Sequence, residues 1–348
     1  MVRRHIINIH RLNIRQVPSN VIWPYGKKAA FAIIDDTDDA EMPGIADVYD
    51  LLIEYEIPTT KTVWVYPVRD AQLFRGNSLT GDPAYLEFIR TLLRKGYEIG
   101  LHNVGSGAFS RCEILGGLEE FNSLLGFYPN LHVNHSYNPD NIYGGDKRFS
   151  FPFDLLVRLM HRDYTGFSGE VASSQHFWGD AHKRHIKYSR SYELDDLNLL
   201  RHCHFPYTDQ KYSDYCNLFY PSVFCPNQDL FNDRITDFNL QRLISQNGCC
   251  IIYTHFGYFT ERGEVDKHFR NTLDLLGKYS SDIWFAPVGE VLSYLERTNG
   301  VRDISRGHKL LLEGKSLITR VKYRYFKKLD DYHYKSSLGA RHRQSKDE

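Results

Sequence analysis

The 348-residue sequence lacks long apolar runs: no stretch approaches the roughly 18 uninterrupted apolar residues that a membrane-spanning helix needs. The first 16 residues include basic side chains but neither an apolar run of about 7 to 15 residues nor a small-residue cleavage site, so they do not resemble a secretory signal. We therefore expect a cytoplasmic protein. The chain also lacks a net charge, with 43 basic and 43 acidic side chains, and 42% of its residues are hydrophobic, a composition that excludes disordered and fibrous proteins.

Several motifs of common enzyme classes are missing as well. None of the six cysteines forms a C-x-x-C pair, which favours reduced, mostly buried thiols over disulfides or a zinc knuckle. The sequence contains no glycine-rich loop of a nucleotide-binding fold, no G-x-S-x-G elbow and no H-E-x-x-H. These absences argue against nucleotide-dependent enzymes, serine hydrolases of the elbow type and zinc proteases of the H-E-x-x-H type.

Short apolar runs alternate with segments of helical period, which predicts βα units around a parallel sheet. Residue 110 begins a capping box with Glu113, so the helix predicted there is well defined at its start. We expect one or two further barrel strands within residues 163–235, where aromatic residues and histidines obscure the pattern. The predicted strands are residues 29–34, 59–65, 97–102, 131–135, 202–206, 249–255 and 283–286, and the predicted helices are residues 45–55, 84–95, 111–125, 153–161, 239–246, 267–279 and 288–297.

These elements predict one α/β barrel domain over residues 25–298, with extensions at residues 1–24 and 299–348. Residues 301–348 hold 13 Lys and Arg against 6 Asp and Glu, which leaves 30 against 37 in the rest. A basic, tyrosine-rich tail of this kind can dock on an anionic surface, or it can be solvated or folded back on the acidic body. We expect no nucleic-acid partner. If the substrate is lipid-linked, we expect the tail to hold the protein at the inner membrane face. The aromatic residues of the tail are Tyr323, Tyr325, Phe326, Tyr332 and Tyr334.

The first predicted strand runs directly into four carboxylates, Asp35, Asp36, Asp38 and Asp39. Such a concentration of negative charge is costly unless a cation binds, protons are shared or water solvates the groups. Polar residues at the carboxyl ends of parallel strands face the functional side of a barrel. We therefore expect a functional role for Asp35 and Asp36, whereas Asp38 and Asp39 are expected to end the strand and cap the next turn.

Three other predicted strands end in an imidazole, at His102, His135 and His255. Because the carboxyl ends of parallel strands lie on one rim, we expect these imidazoles and the Asp pair to converge there. Carboxylate oxygen and neutral imidazole nitrogen are ligands that suit zinc. The sequence thus predicts a site for a divalent metal ion.

Four segments, residues 31–36, 96–102, 251–255 and 284–295, together resemble the polysaccharide deacetylase superfamily, the carbohydrate esterases with a nodulation-type deacetylase domain. The resemblance covers about residues 25–297 and implies a distorted (β/α)7-type barrel. It also implies a metal-assisted hydrolase that removes the acetyl group from an N-acetylated sugar in polysaccharide, glycolipid or nucleotide-sugar metabolism. The resemblance implies that Asp35 is the general base and His255 the general acid. It also implies that Asp36 and His102 bind the metal, and zinc is the expected ion.

Two positions depart from the family pattern. Ser106 stands where the family has its second metal-binding His, four residues after His102, and no Arg is present in the third motif, where the chain has Asn134 and His135. A hydroxyl is a far poorer ligand than an imidazole. His135 can replace the lost ligand, or Asn134 and His135 can take over the orienting role of the Arg. The third alternative is that no metal binds.

Candidate substrate-binding residues flank these positions. They are Asn103, Asn134, Glu170, Trp178 and Asp180, of which the last three lie in a segment rich in aromatic residues. Sugars are commonly held by aromatic faces and carboxylates, although an ordinary aromatic loop has the same composition. Two other functions stay open: a catalytically inactive, deacetylase-like carbohydrate-binding protein, and a glycoside hydrolase in which Asp35 or Asp36 faces Glu170.

Overall fold

The structure, a computed structural model, describes residues 21–69, 74–160, 166–261 and 263–323. In chain order its strands are β1 (Ala29–Asp35), β2 (Thr60–Val63), β3 (Glu98–Leu101), β4 (Leu131–His132), β5 (Tyr188–Leu194), β6 (Tyr207–Thr208), β7 (Leu218–Phe224), β8 (Cys249–Thr254), β9 (Thr260–Glu261), β10 (Glu264–Val265), β11 (Ile283–Phe285) and β12 (Arg302–Asp303). Its α-helices are α1 (Gly44–Glu54), α2 (Pro83–Arg94), α3 (Arg111–Leu125), α4 (Phe153–Met160), α5 (Gly179–His185), α6 (Gln228–Arg234), α7 (Asp237–Ser245), α8 (Lys267–Lys278), α9 (Val288–Asn299) and α10 (Arg306–Val321).

Seven parallel strands form a closed barrel. They pair in the order β1, β2, β3, β4, β5, β7, β8, and β8 pairs again with β1. Every residue of β1 is buried, which explains its unbroken apolar sequence. Strand β11 pairs with the first half of β1, at Ala29, Ala30 and Phe31, whereas β2 pairs with its last two residues. The chain is therefore a single-domain α/β fold with a (β/α)7-type barrel, which confirms the predicted fold class.

The helices predicted from apolar periodicity are all present, with ends that differ from the prediction by no more than two residues. Helix α3 begins with the predicted capping box, in which the amide of Ser110 donates to Glu113 Oε2 at 2.8 Å. The expected further strands are β5 and β7, both within residues 163–235. The strand predicted at residues 202–206 is wrong, because a 3-10 turn at Leu199–Arg201 and a loop occupy that part of the chain.

Part of the predicted C-terminal extension folds onto the barrel. Helix α10 packs against β5, where Arg320 forms an ion pair with Glu193 at 2.9 Å and Glu313 accepts a hydrogen bond from Tyr192 at 3.2 Å. Tyr325, Phe326, Tyr332 and Tyr334 lie outside the described residues, as do residues 1–20 of the N-terminal extension. Within the described ranges, no helix combines the length and the apolar character needed to cross a bilayer.

Candidate metal centre

The predicted convergence of strand ends is confirmed. Asp38 Oδ1 lies 3.8 Å from Nε2 of His102 and 3.1 Å from Nδ1 of His135, and Asp36 Oδ2 lies 3.9 Å from Nε2 of His255. These residues follow four different barrel strands, β1, β3, β4 and β8, at their carboxyl ends. The fold therefore places them at one rim because the strands run parallel.

Asp38, His102 and His135 form a group that can hold a metal ion. Their ligand atoms are separated by 3.8, 3.1 and 3.2 Å, the last distance joining His135 Nδ1 to His102 Nε2. Ligands at about 2.0 Å from a tetrahedral zinc ion are about 3.3 Å apart. The three atoms thus have the spacing that a zinc ion requires. The carboxylate of the group is that of Asp38, which the sequence analysis assigned to a turn, and not that of Asp36.

The protonation of these side chains also suits a metal. Burial lowers the pKa of His102 to about 3, so its imidazole is neutral at pH 7 and can act as a ligand. Although burial alone would raise it, the pKa of Asp38 lies well below its usual range, chiefly because His135 is close. Asp38 Oδ1 is buried and, apart from the imidazoles of His102 and His135, has no hydrogen-bond partner in the described part of the chain. A carboxylate oxygen that faces only two imidazoles is an environment that a cation would complete.

Two neighbours orient His135. Ser106 Oγ lies 2.9 Å from Nε2 of His135, and the side-chain oxygen of Asn103 accepts a hydrogen bond from the His135 amide at 2.8 Å. Because the outer nitrogen of the ring is held by Ser106, Nδ1 is directed at Asp38 and His102. Such an outer hydrogen bond is the usual support of a metal-binding imidazole. The Ser106 hydroxyl therefore supports an imidazole of the group formed by Asp38, His102 and His135.

Asp36 is held by an arginine from β5. Arg190 donates two hydrogen bonds to its carboxylate, at 2.9 and 2.6 Å, and the guanidinium stacks over the ring of Tyr253 at 4.3 Å. Burial opposes the charge on Arg190, but the adjacent Asp36 carboxylate raises the pKa of the guanidinium nonetheless. Both oxygens of Asp36 are therefore engaged, and the carboxylate is held in a fixed orientation at the edge of the metal group.

His255 faces both acidic residues. Its Nδ1 lies 2.6 Å from the carbonyl oxygen of Pro226, and its Nε2 lies 3.0 Å from Asp38 Oδ2. Burial acts to lower its pKa, but the hydrogen bond and charge of Asp38 raise the pKa of His255 to about 9. In this arrangement the imidazole is protonated at pH 7 and can donate a proton.

Asp35, the predicted general base, lies in the interior of the protein. Its side chain is fully buried, with Oδ2 2.9 Å from Lys61 Nζ and 3.0 Å from the hydroxyl of Tyr49, and with Oδ1 accepting from the Phe256 amide at 2.8 Å. Burial raises the pKa of Asp35, although Lys61 limits the rise. Since three contacts with the interior occupy this carboxylate, it has no direct access to solvent, and its role as general base stays a prediction.

The five predicted substrate-binding residues have mainly structural contacts. The indole of Trp178 is fully buried and donates to the carbonyl oxygen of Asp140 at 2.6 Å, so it presents no face to a sugar. Asp180 forms a bidentate ion pair with Arg111, in which each of the two hydrogen bonds is 2.7 Å long. Asn103, Asn134 and Glu170 bind, respectively, Asp140, the backbone of Ile142, and the amide of Tyr143.

Sequence reasoning missed Arg190 and Lys61, and it placed Asp38 in a turn. The absence of an Arg beside Asn134 and His135 was a usable signal, because a buried pair of carboxyl groups at the rim needs a cation from some other strand. Arg190 was hidden in an unpredicted strand. Lys61 lies in a predicted strand. Because a lysine is almost never fully buried unless it is paired, a lysine in a buried strand indicates an acidic partner.

Neither family models nor curated proteins match this chain. Among solved structures it is similar to the Puue allantoinase, with 12% identity over 80% of this chain and 93% of that chain and a TM-score of 0.48. It is also similar to a peptidoglycan deacetylase from Bacillus subtilis, with 15% identity over 78% and 92% and a TM-score of 0.38. A family 4 acetyl xylan esterase from Clostridium thermocellum, crystallised with cobalt, has 12% identity over 78% and 92% and a TM-score of 0.38.

Proposed function

We propose that this protein is a metal-dependent hydrolase that removes the acetyl group from an N-acetylated sugar. The observation that carries the proposal is the group of Asp38, His102 and His135 beside an oriented carboxylate and a protonated imidazole. A hydrolase of this kind needs a metal site, a base and an acid at one rim, and residues that can take these three roles lie together here.

Asp38, His102 and His135 would hold the ion, and their mixture of one carboxylate and two imidazoles favours zinc. When bound, a divalent metal polarises an acyl oxygen and makes a water molecule a stronger acid. Two imidazoles and one carboxylate would leave one position of a four-coordinate ion for water or substrate. The remaining chemistry falls to side chains of this chain.

Asp36 takes the role of general base in this proposal, in place of Asp35. Arg190 fixes its orientation through two hydrogen bonds, and in this proposal Asp36 accepts a proton from the attacking water. His255 donates a proton to the departing amine, because the hydrogen bond with Pro226 aims its Nε2 toward the acidic group. The base and the acid thus stand on neighbouring strands, β1 and β8.

The inactive, carbohydrate-binding alternative was suggested by the missing His and Arg. His135 and Arg190 supply an imidazole and a guanidinium at the same rim, from other positions in the sequence. These two groups support an enzymatic function over the inactive alternative. The glycoside hydrolase alternative needs Glu170 opposite Asp36, yet Glu170 accepts from the Tyr143 amide at 3.0 Å and lies 3.7 Å from Lys147. The acetylated sugar as substrate rests on the motif resemblance at residues 31–36, 96–102 and 251–255.

The test combines metal analysis with product release. Protein purified without chelators is analysed for bound metal, then incubated with chitin oligosaccharides and with a nucleotide-linked N-acetylglucosamine, and free acetate is measured. Asp36→Asn and His255→Asn should retain metal and lose at least about a hundredfold in rate, the usual contribution of a general base or acid. Asp50→Asn, at an exposed position on α1, is the matched control and should behave as wild type.

Stoichiometric metal and acetate release that depend on these residues would support the proposal. Metal binding without hydrolysis of any acetylated sugar would leave the site in place but refute the substrate class. Wild-type protein that binds no metal after incubation with zinc, manganese or nickel would refute the mechanism and favour the inactive, carbohydrate-binding alternative.

A further inference from the structure

Asn103, the residue after His102, has a backbone conformation that most side chains avoid. Its φ is +51°, in the left-handed region. Its side chain is buried, and its Oδ1 accepts a hydrogen bond from the amide of His135 at 2.8 Å. Asn103 thus follows one imidazole of the metal group in the sequence and holds the backbone of the other. The position of His135 relative to His102 therefore depends on which way the Asn103 amide faces.

Asp140 lies on the other side of that amide. Asn103 Nδ2 donates to Asp140 Oδ2 at 2.6 Å. Burial raises the pKa of Asp140 to about 6, so the carboxyl group is mostly ionised at pH 7. An ionised carboxylate accepts hydrogen bonds and donates none. The nitrogen of the amide therefore faces Asp140, and its oxygen faces His135.

The nearby imidazoles do not fix the amide by themselves. His132 Nε2 lies 3.4 Å from Asn103 Oδ1, and His132 Nδ1 lies 3.2 Å from His182 Nε2. Burial lowers the pKa of both rings, so each is neutral at pH 7 and has one N–H. His182 donates its N–H to the carbonyl oxygen of Tyr215, 2.7 Å from Nδ1. The single N–H of His132 can therefore go to His182 instead of Asn103, whereas Asp140 offers the amide an acceptor only.

The backbone of Asp140 is itself held in place. Trp178 Nε1 donates to its carbonyl oxygen at 2.6 Å, and a Cβ atom added at Gly169 would lie only 2.0 Å from that oxygen. The second carboxylate oxygen, Oδ1, is buried and has no hydrogen-bond partner in the described part of the chain. A buried carboxylate is costly unless it is paired, yet the side chain that donates to this one is Asn103. This cost indicates that the carboxylate serves to hold Asn103.

We propose that Asp140 is a positioning residue for the metal group: it fixes the amide of Asn103, and Asn103 fixes the strand end that carries His135. The inference rests on the metal site of the proposed function and is independent of the substrate. Asp140 touches neither the ion nor the substrate in this proposal. Its effect on the metal is transmitted by one side chain, which makes the proposal testable with a double-mutant cycle.

Competition for zinc against a chromophoric chelator, with the full chain, tests the proposal. Asp140→Val removes the acceptor, and Asn103→Gly removes the amide while glycine still adopts the left-handed backbone. We expect each variant to bind zinc about 10- to 100-fold more weakly than wild type, the usual effect of changes beside a metal ligand. Because Asp140 acts through Asn103, the double variant should bind zinc within about threefold of Asn103→Gly.

Two further variants separate positioning from stability. Asp209→Val removes another buried carboxylate, whose partner is Lys309 on α10, and it should leave the zinc affinity unchanged even where it destabilises the fold. If Asp140→Val does not fold, Asp140→Ser takes its place, because serine is one bond too short to reach the Asn103 amide. We expect the same loss of zinc affinity from it.

Hydrogen exchange of the His135 amide, measured with chelator present, is the readout that needs no metal. The exchange should be at least about tenfold faster in Asp140→Val and Asn103→Gly than in wild type, and unchanged in Asp209→Val. Wild-type protein that binds no zinc would refute the proposed function, and this exchange would still decide whether Asp140 positions His135.

Three results would overturn the proposal. The first is zinc affinity and His135 exchange in Asp140→Val that equal those of wild type. The second is a double variant in which the losses of the two single variants multiply, because Asp140 would then act by a route other than Asn103. The third is an equal loss of zinc affinity in Asp209→Val, because Asp140 would then serve only the stability of the fold.

Discussion

Replacing Asp38 by Asn tests which carboxylate of the acidic segment binds the metal. Asp38 Oδ1 is the oxygen that approaches His102 and His135, whereas both oxygens of Asp36 bind Arg190. A metal takes His ligands as neutral imidazoles, so Asp38 supplies the only negative charge among the three ligands. The Asn side chain has nearly the same shape, and the substitution therefore removes the charge with little change in packing.

The expected loss of zinc affinity follows from these contacts. Changes beside a metal ligand weaken binding by about 10- to 100-fold, and loss of a charged ligand itself should cost more than that. We expect Asp38→Asn to weaken zinc binding at least about a hundredfold, which corresponds to about 2.7 kcal/mol. Because Arg190 already neutralises Asp36, we expect Asp36→Asn to change the affinity by no more than about tenfold, or about 1.4 kcal/mol.

The assay is competition for zinc against a chromophoric chelator, with wild type, Asp36→Asn, Asp38→Asn and the control Asp50→Asn measured side by side. Thermal melting of each variant with chelator present establishes that the fold is retained. Our reasoning would be refuted if Asp36→Asn lost zinc while Asp38→Asn retained it. That result would restore the metal ligand predicted from the sequence and would mean that the Arg190 pair opens when the ion binds.

Three further predictions concern the surroundings of the site. Ser106→Ala should weaken zinc binding about tenfold because His135 loses its outer hydrogen bond, and unchanged affinity in the chelator competition would contradict that role. Lys61→Met should destabilise the fold by about 3 to 5 kcal/mol in urea unfolding with chelator present, since Asp35 stays buried without its cation; adding Asp35→Asn should recover part of the loss. Glu193 is buried and, despite the opposing effect of burial, Arg320 and Arg148 lower its pKa from 4.5 to about 2, which corresponds to about 3 kcal/mol of stability. Because the folded pKa is the lower one, this contribution is complete above pH 4.5 and is lost as the pH falls toward 2, so the unfolding free energy of Glu193→Gln should depend less on pH over that range than that of wild type.

The sequence was sufficient for the barrel strands that are purely apolar. Strands β1 and β8 read as continuous apolar runs because both of their faces are buried, and helices α1 to α3 follow from their apolar periodicity. The same reasoning located the rim, since four of the seven predicted strands ended at an acidic residue or an imidazole. The ends of the strands therefore predicted the position of the site better than the role of each residue in it.

Strands β5 and β7 were expected within residues 163–235, but their positions could not be located from the sequence for a physical reason. Strand β7 contains Pro221, which cannot donate a hydrogen bond and so argues against a central strand. The pairing of β5 with β7 shifts register between Arg190 and Glu193, opposite this proline, so the irregularity accommodates the missing donor. Strand β5 also directs Arg190 to Asp36 and Glu193 to Arg148, and such buried charges do not show the apolar pattern that sequence reasoning looks for.

The identity of the metal ligands depends on neighbouring strands rather than on spacing along the chain. Strands β3 and β4 pair at Leu101 and His132, so a residue three positions beyond His132 reaches the residue that follows Leu101. That is why the imidazole of His135 lies 3.2 Å from His102, although the two are 33 positions apart in sequence. The adjacent strand thus brings an imidazole to His102 although position 106 has none. The hydroxyl of Ser106 then becomes a support for the new ligand, which a motif read along one strand could not reveal.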